Sequence, residues 1–89
     1  MKCIELFAEG KVQGVYFRAQ TQNKAKELHI CGYVENLRDG RVHIVAEGSG
    51  TDMVKFVAWC RKGPMLARVD KLTEQELAPV GFEDFVIRR

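Results

Sequence analysis

The fold is decided by residues 2–37, which run KCIELFAEGKVQGVYFRAQTQNKAKELHICGYVENL. Residues 2–9 alternate between apolar and polar positions, which predicts a β-strand with one buried face. A glycine-bearing loop follows, and residues 17–29 then carry an apolar stripe at helical spacing, which predicts a helix. Residues 32–37 return to a strand pattern. A strand–helix–strand crossover of this kind makes its two strands parallel, because the connection returns to the same sheet with right-handed sense.

A hairpin and a second helix follow this crossover. The Asp-Gly dipeptide at residues 39–40 is a strong signal for a tight hairpin turn, so residues 41–47 predict a strand antiparallel to the one before it. Residues 52–62 place apolar side chains at helical spacing and predict the second helix. The Gly-Pro dipeptide at residues 63–64 ends that helix.

The last part of the chain predicts two more strands. Residues 67–76 are polar and predict an edge strand, and residues 82–88 predict a short terminal strand. The order of elements matches an α+β, ferredoxin-like βαββαβ sandwich, in which two helices cover one face of an antiparallel sheet. We expect a single domain over residues 1–89, because a chain of this length is too short to form two.

Composition and charge exclude several classes of protein. The net charge is only +2, from 14 Lys and Arg against 12 Asp and Glu, whereas dedicated nucleic-acid binders carry a stronger basic bias. No apolar run approaches the roughly 20 residues of a membrane helix, and the first residues do not resemble a signal peptide. The three cysteines form no Cys-x-x-Cys pair, so neither a zinc site nor a disulfide framework is indicated. We expect a cytoplasmic protein that binds neither nucleic acid nor membrane.

The two predicted helices differ at their starts. The second is preceded by Ser49 and carries Asp52 in its first turn, which are the capping hydroxyl and the favourable acid of an ordinary helix. The first follows residues 14–17, which include no Ser, Thr, Asp or Asn. It then places Arg18 in the first turn, where the helix dipole disfavours a cation. Two broken local rules at one position indicate a functional site.

An anion would resolve both violations. Glycines in the loop of residues 10–16 allow successive backbone N–H groups to point inward and to form a nest for phosphate oxygens. The helix start adds its free N–H donors, and Arg18 adds a planar fork of donors that fits two oxygens. The same residues also suit a plain glycine-rich turn with a solvent-exposed arginine, and the loop alone does not decide between the two.

Asn36 is the second candidate residue. Asparagine is uncommon in strands, yet Asn36 lies within or at the end of the strand predicted over residues 32–37, on the apolar face that carries Val34. Since the first two strands are parallel, their C-terminal ends lie at one edge of the sheet. The loop, Arg18 and Asn36 are therefore expected to face one pocket. The alternative is that Asn36 only opens the hairpin.

At these residues the sequence resembles the acylphosphatase family. Residues 10–18, GKVQGVYFR, are similar to the family signature GxVQGVxFR, and residues 32–42, GYVENLRDGRV, are similar to its second block GxVxNxxDGxV. Further matches occur at residues 47–48, 63–64, 67–69 and 82–85. The resemblance covers nearly the whole chain. One departure is His29, where the family often has a glycine that suits a left-handed helix end.

The resemblance implies a small monomeric hydrolase that cleaves the carboxyl-phosphate bond of acyl phosphates without metal or cofactor. It also implies the fold above with an added terminal strand. Its catalytic residues map onto Arg18, which binds phosphate, and Asn36, which orients water. Its phosphate-binding residues map onto Gln13, Gly14, Val15, Tyr16, Phe17 and Arg18.

Two other functions share this fold. An RNA-binding domain would carry paired aromatic residues on the exposed sheet face of its two central strands, and the strand over residues 41–47 has none. A non-catalytic anion- or phosphate-binding regulatory module stays open, and only turnover separates it from a hydrolase. Nothing in the loop indicates which acyl group the substrate carries.

Overall fold

The computed structural model describes all 89 residues as a five-stranded sheet with two helices on one face. The strands are β1 (Lys2–Lys11), β2 (Cys31–Asn36), β3 (Val42–Gly48), β4 (Arg68–Leu77) and β5 (Phe85–Arg88). The helices are α1 (Phe17–Glu27) and α2 (Gly50–Lys62). Every predicted element is present in the predicted order, so the βαββαβ plan with an added strand is confirmed.

The strand order in the sheet is β4-β1-β3-β2-β5. Strand β3 lies between β1 and β2 and pairs antiparallel with both, which makes β1 and β2 parallel to each other, as predicted. Strand β4 lies at one edge, again as predicted. Strand β5 lies at the other edge and pairs parallel with β2, so the sheet is mixed at this one pairing.

The core lies between the sheet and the two helices. Helix α1 packs on β2 and β5, and helix α2 packs on β1, β3 and β4. The largest side chains fully buried there are Phe17, Phe56 and Phe85. Burial of these apolar faces is the main source of stability in a domain of this size. No helix of the structure is long and apolar enough to cross a membrane.

Helix α1 ends two residues before the predicted boundary because of His29. The residue has a left-handed backbone with φ of 57°, and Leu28 before it is the C-cap. The N–H groups that follow turn back to helix carbonyls, with His29 donating to Lys26 and Ile30 to Ala25. The left-handed helix end expected from the sequence is therefore present, with a histidine in a conformation that favours glycine.

The anion loop predicted over residues 10–16 is wrong at its start, because Gly10 lies in strand β1. Strand β1 continues through Lys11, and the pairing with β4 shifts register between Glu9 and Gly10. Gly10 has φ of 129°, and a Cβ there would lie 2.2 Å from the carbonyl oxygen of Arg68. Gly10 is thus required by the close approach of two strands at a bulge. The loop proper is residues 12–16.

His43 joins the three central strands on the face away from the helices. Its Nδ1 lies 2.7 Å from Oε2 of Glu35 on β2, and its Nε2 lies 2.8 Å from Oε2 of Glu5 on β1. The ring of Phe7 stacks on the imidazole with centroids 4.6 Å apart. None of these residues lines the cavity at the ends of β1 and β2, so His43 has a structural part in the sheet.

Glu47 anchors the segment that connects β4 to β5. Its buried carboxylate accepts hydrogen bonds from the backbone N–H groups of Val80, Gly81 and Phe82 at 2.6, 2.9 and 2.9 Å. These donors, with the Gly81 N–H contributing most and the Val80 N–H next, hold the pKa of Glu47 below its usual range. The anchor directs the chain across the sheet to the edge where β5 pairs with β2.

We expect the substitution Glu47→Gln to lower the melting temperature at neutral pH, because an amide oxygen is a weaker acceptor for three N–H groups than a carboxylate. The pKa of Glu47 is lower in the folded than in the unfolded protein. Its stabilisation is therefore complete above the unfolded value of 4.5 and is lost as pH falls through the folded value. Thermal unfolding between about pH 3 and about pH 7 should show the two proteins converging at low pH. A constant difference across that range would contradict the assigned role.

Candidate functional site

A cavity of about 380 Å³ lies at the sheet edge where β1 and β2 end. It brings together the loop of residues 12–16, the start of α1, the end of β2 and the end of the chain after β5. Its lining residues are Val12, Gly14, Tyr16, Phe17, Arg18, Ala19, Asn36, Ile87 and Arg89. The predicted meeting of the loop, Arg18 and Asn36 in one pocket is therefore what the structure shows.

Helix α1 begins at this cavity without a cap. Its N-cap residue, Tyr16, has a left-handed backbone with φ of 62° and makes no side-chain capping hydrogen bond, and no acid lies in the first turn. In helix α2, by contrast, the hydroxyl of Ser49 accepts from the Asp52 N–H at 3.1 Å. The first N–H groups of α1 are left free beside the cavity and, with the positive end of the helix dipole, favour an anion there.

The loop before α1 has the curvature that the sequence predicts. Gly14 has φ of 74°, and Tyr16 two residues later is again left-handed. A tyrosine in this region costs about 1–3 kcal/mol and persists only where surrounding structure holds it. Alternation of this kind turns successive backbone N–H groups toward one side, which is the geometry of a phosphate nest.

Two of the six predicted phosphate-binding residues direct their side chains away from the cavity. Gln13 Nε2 donates to the carbonyl oxygens of Leu37 at 2.7 Å and Arg41 at 2.9 Å, which ties the loop to the turn between β2 and β3. Val15 is buried outside the cavity lining. These residues offer an anion only their backbone N–H groups, and the Gln13 side chain positions the loop. The other four line the cavity.

Arg18 lines the cavity with no carboxylate partner. The ion pairs of the structure engage other side chains, and no Asp or Glu lies among the cavity residues. Arg89 is a second arginine that lines the same cavity, and its side chain takes part in no ion pair. Two unpaired cations and a set of free N–H donors make the cavity electropositive, although the net charge of the chain is only +2.

Asn36 is the last residue of β2, and its Oδ1 is buried with no hydrogen-bond partner in the protein. Leaving a buried acceptor unsatisfied costs roughly 1–3 kcal/mol, so this oxygen is suited to a donor that enters the cavity. The hairpin that follows is closed without the Asn36 side chain, because the Leu37 N–H donates to the Arg41 carbonyl at 2.9 Å.

The sequence patterns did not indicate four further cavity residues, Val12, Ala19, Ile87 and Arg89. The last two reach the cavity because β5 pairs parallel with β2, with Val34 opposite Ile87 and Glu35 opposite Arg88. By alternation, Ile87 and Arg89 share the face of Val34 and Asn36. Residues 82–88 were predicted as a short terminal strand, but the partner of that strand depends on a long-range pairing.

No group of three or more His, Cys, Asp or Glu side chains is placed to hold a metal ion. Cys3 and Cys60 are buried, and burial raises the pKa of both thiols, with the Glu47 carboxylate adding to the effect at Cys3. Both thiols therefore stay protonated and unreactive in the folded protein. The cavity is left with Arg18, Arg89, the backbone N–H groups and Asn36 as its polar groups.

Comparison with known proteins identifies close relatives. The acylphosphatase family model matches residues 4–87. An acylphosphatase from Methylococcus capsulatus is 47% identical over 90 residues, which covers 100% of this chain and 98% of that protein. An acylphosphatase from Marinobacter nauticus is 52% identical over 81 residues, which covers 90% of this chain and 88% of that protein. The crystal structure of an acylphosphatase from Bacillus subtilis superposes with a TM-score of 0.96 at 32% identity and covers 100% of both chains.

We expect inorganic phosphate to stabilise the protein saturably by binding in this cavity. A ligand specific for the folded state adds about 2.7 kcal/mol at a hundredfold excess over Kd. For a domain of this size that is roughly 10–20 °C in melting temperature. The measurement is thermal unfolding in a phosphate titration.

The control for this experiment is the Arg18→Gln protein in the same titration. It is needed because such salts also stabilise proteins generally, by exclusion from the surface. A saturable shift in the wild type that is largely absent from the variant is the expected result. Equal shifts in both proteins would show that the cavity is no anion site.

Proposed function

The chain belongs to the acylphosphatase family and hydrolyses acyl phosphates to a carboxylate and inorganic phosphate, and we propose that Arg18 and the loop of residues 13–18 hold the phosphoryl group while Asn36 orients the attacking water. One observation carries this proposal. An uncapped helix start, an unpaired guanidinium and a carboxamide oxygen without a partner meet in a single cavity. The helix start and the guanidinium lack an anion, which the phosphoryl group supplies. The carboxamide oxygen lacks a hydrogen-bond donor, which the attacking water supplies.

Arg18 and the backbone donors act on the phosphoryl oxygens. In phosphoryl transfer most of the charge of the transition state is spread over the three equatorial oxygens. The guanidinium fork engages two oxygens, and the N–H groups of the loop and of the first turn of α1 engage the remaining lone pairs. These donors are already in place, so little reorganisation is needed when the charge develops. The positive charge they supply takes the part that a metal ion has in other phosphoryl-transfer enzymes, and we expect none to be required.

Asn36 acts on the nucleophile. Its Oδ1 accepts a hydrogen bond from the water and aims the water oxygen at phosphorus, which removes much of the entropic cost of the attack. The water oxygen bonds to phosphorus while the bond from phosphorus to the acyl oxygen breaks. The acyl oxygen leaves as a stable carboxylate and needs no acid. Since no Asp, Glu or His lines the cavity, the water proton passes to a phosphoryl oxygen of the substrate.

We further propose that the protein acts as a cytoplasmic monomer. The cavity is built from one chain, so a second copy is not needed to complete it. The three cysteines are free, and two of them are buried as thiols. Such thiols suit a reducing compartment.

We expect the purified protein to hydrolyse benzoyl phosphate in excess EDTA, and Arg18→Gln to lower kcat/KM by more than about 10²–10³-fold. One neutral transition-state donor is worth roughly that factor, and a charged fork exceeds it. A matched control is Arg61→Gln, which removes an arginine on α2 outside the cavity and should keep the wild-type rate.

Three outcomes would contradict parts of this proposal. A near wild-type rate for Arg18→Gln would remove Arg18 from the mechanism. Loss of the wild-type rate in EDTA would show that a metal is required. Phosphate binding without any turnover would identify the non-catalytic anion-binding module.

We expect Asn36→Ala to lower the rate of the chemical step without weakening phosphate binding, in contrast to Arg18→Gln. If Asn36 aims water without holding the phosphoryl group, kcat falls while competitive inhibition by inorganic phosphate is nearly unchanged. Asn23→Ala, on the exposed face of α1, is the matched control and should change neither quantity. A loss of phosphate affinity equal to the loss of rate would instead make Asn36 a binding residue.

A further inference from the structure

A second groove adjoins the catalytic cavity and shares Tyr16 with it. This outer groove, of about 350 Å³, lies between the start of α1, the end of α2 and the turn after α2. Besides Tyr16, its main walls are Trp59, Met65 and Leu66. None of the residues that line it is charged. Of the residues that line the groove, the mechanism proposed above uses only Val15 and Tyr16, as part of the loop of residues 13–18.

The outer groove is unusual for the amount of apolar side chain that it exposes. The exposed fraction is 98% for Met65, 73% for Tyr16 and 60% for Leu66. Single exposed apolar residues are normal, but a contiguous group on a small domain indicates a surface that binds something. Tyr16 is in addition held in a left-handed conformation at the boundary between the cavity and the groove.

The direction of the reaction points to what binds there. Asn36, Ile87 and Arg89 line the cavity from the side of β2 and β5. The outer groove lies on the opposite side of Tyr16, toward α2, which packs on β1, β3 and β4. In phosphoryl transfer the attacking and leaving oxygens are roughly in line through phosphorus. Water attacking from Asn36 therefore expels the acyl group toward Tyr16.

We infer that the outer groove is the acyl subsite and that it selects substrates with an aromatic or extended apolar acyl group. This inference rests on the proposed roles of Arg18 and Asn36, because they set where the acyl oxygen leaves. Ring faces from Tyr16 and Trp59 and the side chains of Met65 and Leu66 supply apolar contact. An acyl group as small as acetyl ends before the groove and gains nothing from it. Each methylene buried there raises kcat/KM by about fourfold, which corresponds to about 0.8 kcal/mol.

Kinetics with two substrates test the subsite. The measured quantity is the ratio of kcat/KM for benzoyl phosphate to kcat/KM for acetyl phosphate. We expect the double variant Met65→Ser/Leu66→Ser to lower this ratio by about tenfold relative to the wild type. Both side chains are exposed, so the substitutions leave the core intact. Val54→Ser removes an apolar side chain of similar exposure from α2 outside the groove and should leave the ratio unchanged.

A second measurement reports on the groove directly. Trp59 is the only tryptophan of the chain, so its indole N–H gives a single NMR signal. Phenacylphosphonate, in which a methylene replaces the bridging oxygen of benzoyl phosphate, should shift this signal. Inorganic phosphate alone, which fills only the cavity, should leave it nearly in place.

The outcomes separate this inference from the proposed function. If the wild type hydrolyses both substrates and the ratio is equal in wild type and double variant, the subsite is wrong and the mechanism stands. An unmoved indole signal at saturating phenacylphosphonate would also overturn the subsite, as would a preference for acyl phosphates with an anionic acyl group. If the wild type hydrolyses neither substrate, the proposed function itself fails, and the inference fails with it.

Discussion

The site depends on a helix start that the chain leaves uncapped. A serine or aspartate at position 16 would cap α1 as Ser49 caps α2. Its side chain would then accept a hydrogen bond from one of the first N–H groups of the helix. Instead Tyr16 occupies that position in a strained conformation and Arg18 opposes the helix dipole. Both features cost stability in the free protein, and an anion would offset the unfavourable placement of Arg18 and pair with the free N–H groups. The proposed binding of phosphate would therefore supply the partners that this helix start lacks.

The rest of the fold holds this helix start against the end of β2. The Gln13 side chain donates to two backbone carbonyls of the turn after β2. The loop is therefore bound to the segment that directly follows Asn36. On the opposite face, Glu47 binds three N–H groups of the segment before β5 and so directs β5 to the edge beside β2. Ile87 and Arg89 line the cavity because β5 pairs with β2 at this edge. A buried carboxylate on one face of the sheet therefore shapes the proposed catalytic cavity on the other.

The features that could be predicted from the sequence are those set by local rules. The strand and helix periods and the contrast between the start of α1 and Ser49 follow from a few neighbouring residues, whereas the left-handed end at His29 was indicated by the family resemblance. The parallel placement of β1 and β2 follows from crossover handedness and brought Arg18 and Asn36 together. The bulge at Gly10 and the arrival of Arg89 depend on pairing with β4 and β2, which are distant in sequence. No local pattern encodes those pairings, so they needed the structure.

The distribution of charge explains how a chain of net charge +2 can present the proposed anion site. The acids near the centre of the sheet are already engaged on the far face, where Glu5 and Glu35 contact His43 and Glu47 contacts backbone N–H groups. None of them reaches the cavity, and the arginines there keep their full donor capacity. A carboxylate in the cavity would neutralise Arg18 and compete with phosphate for the helix start. Since local fields at short range outweigh the net charge of the whole protein, the placement of a few acids decides which ligand the site admits.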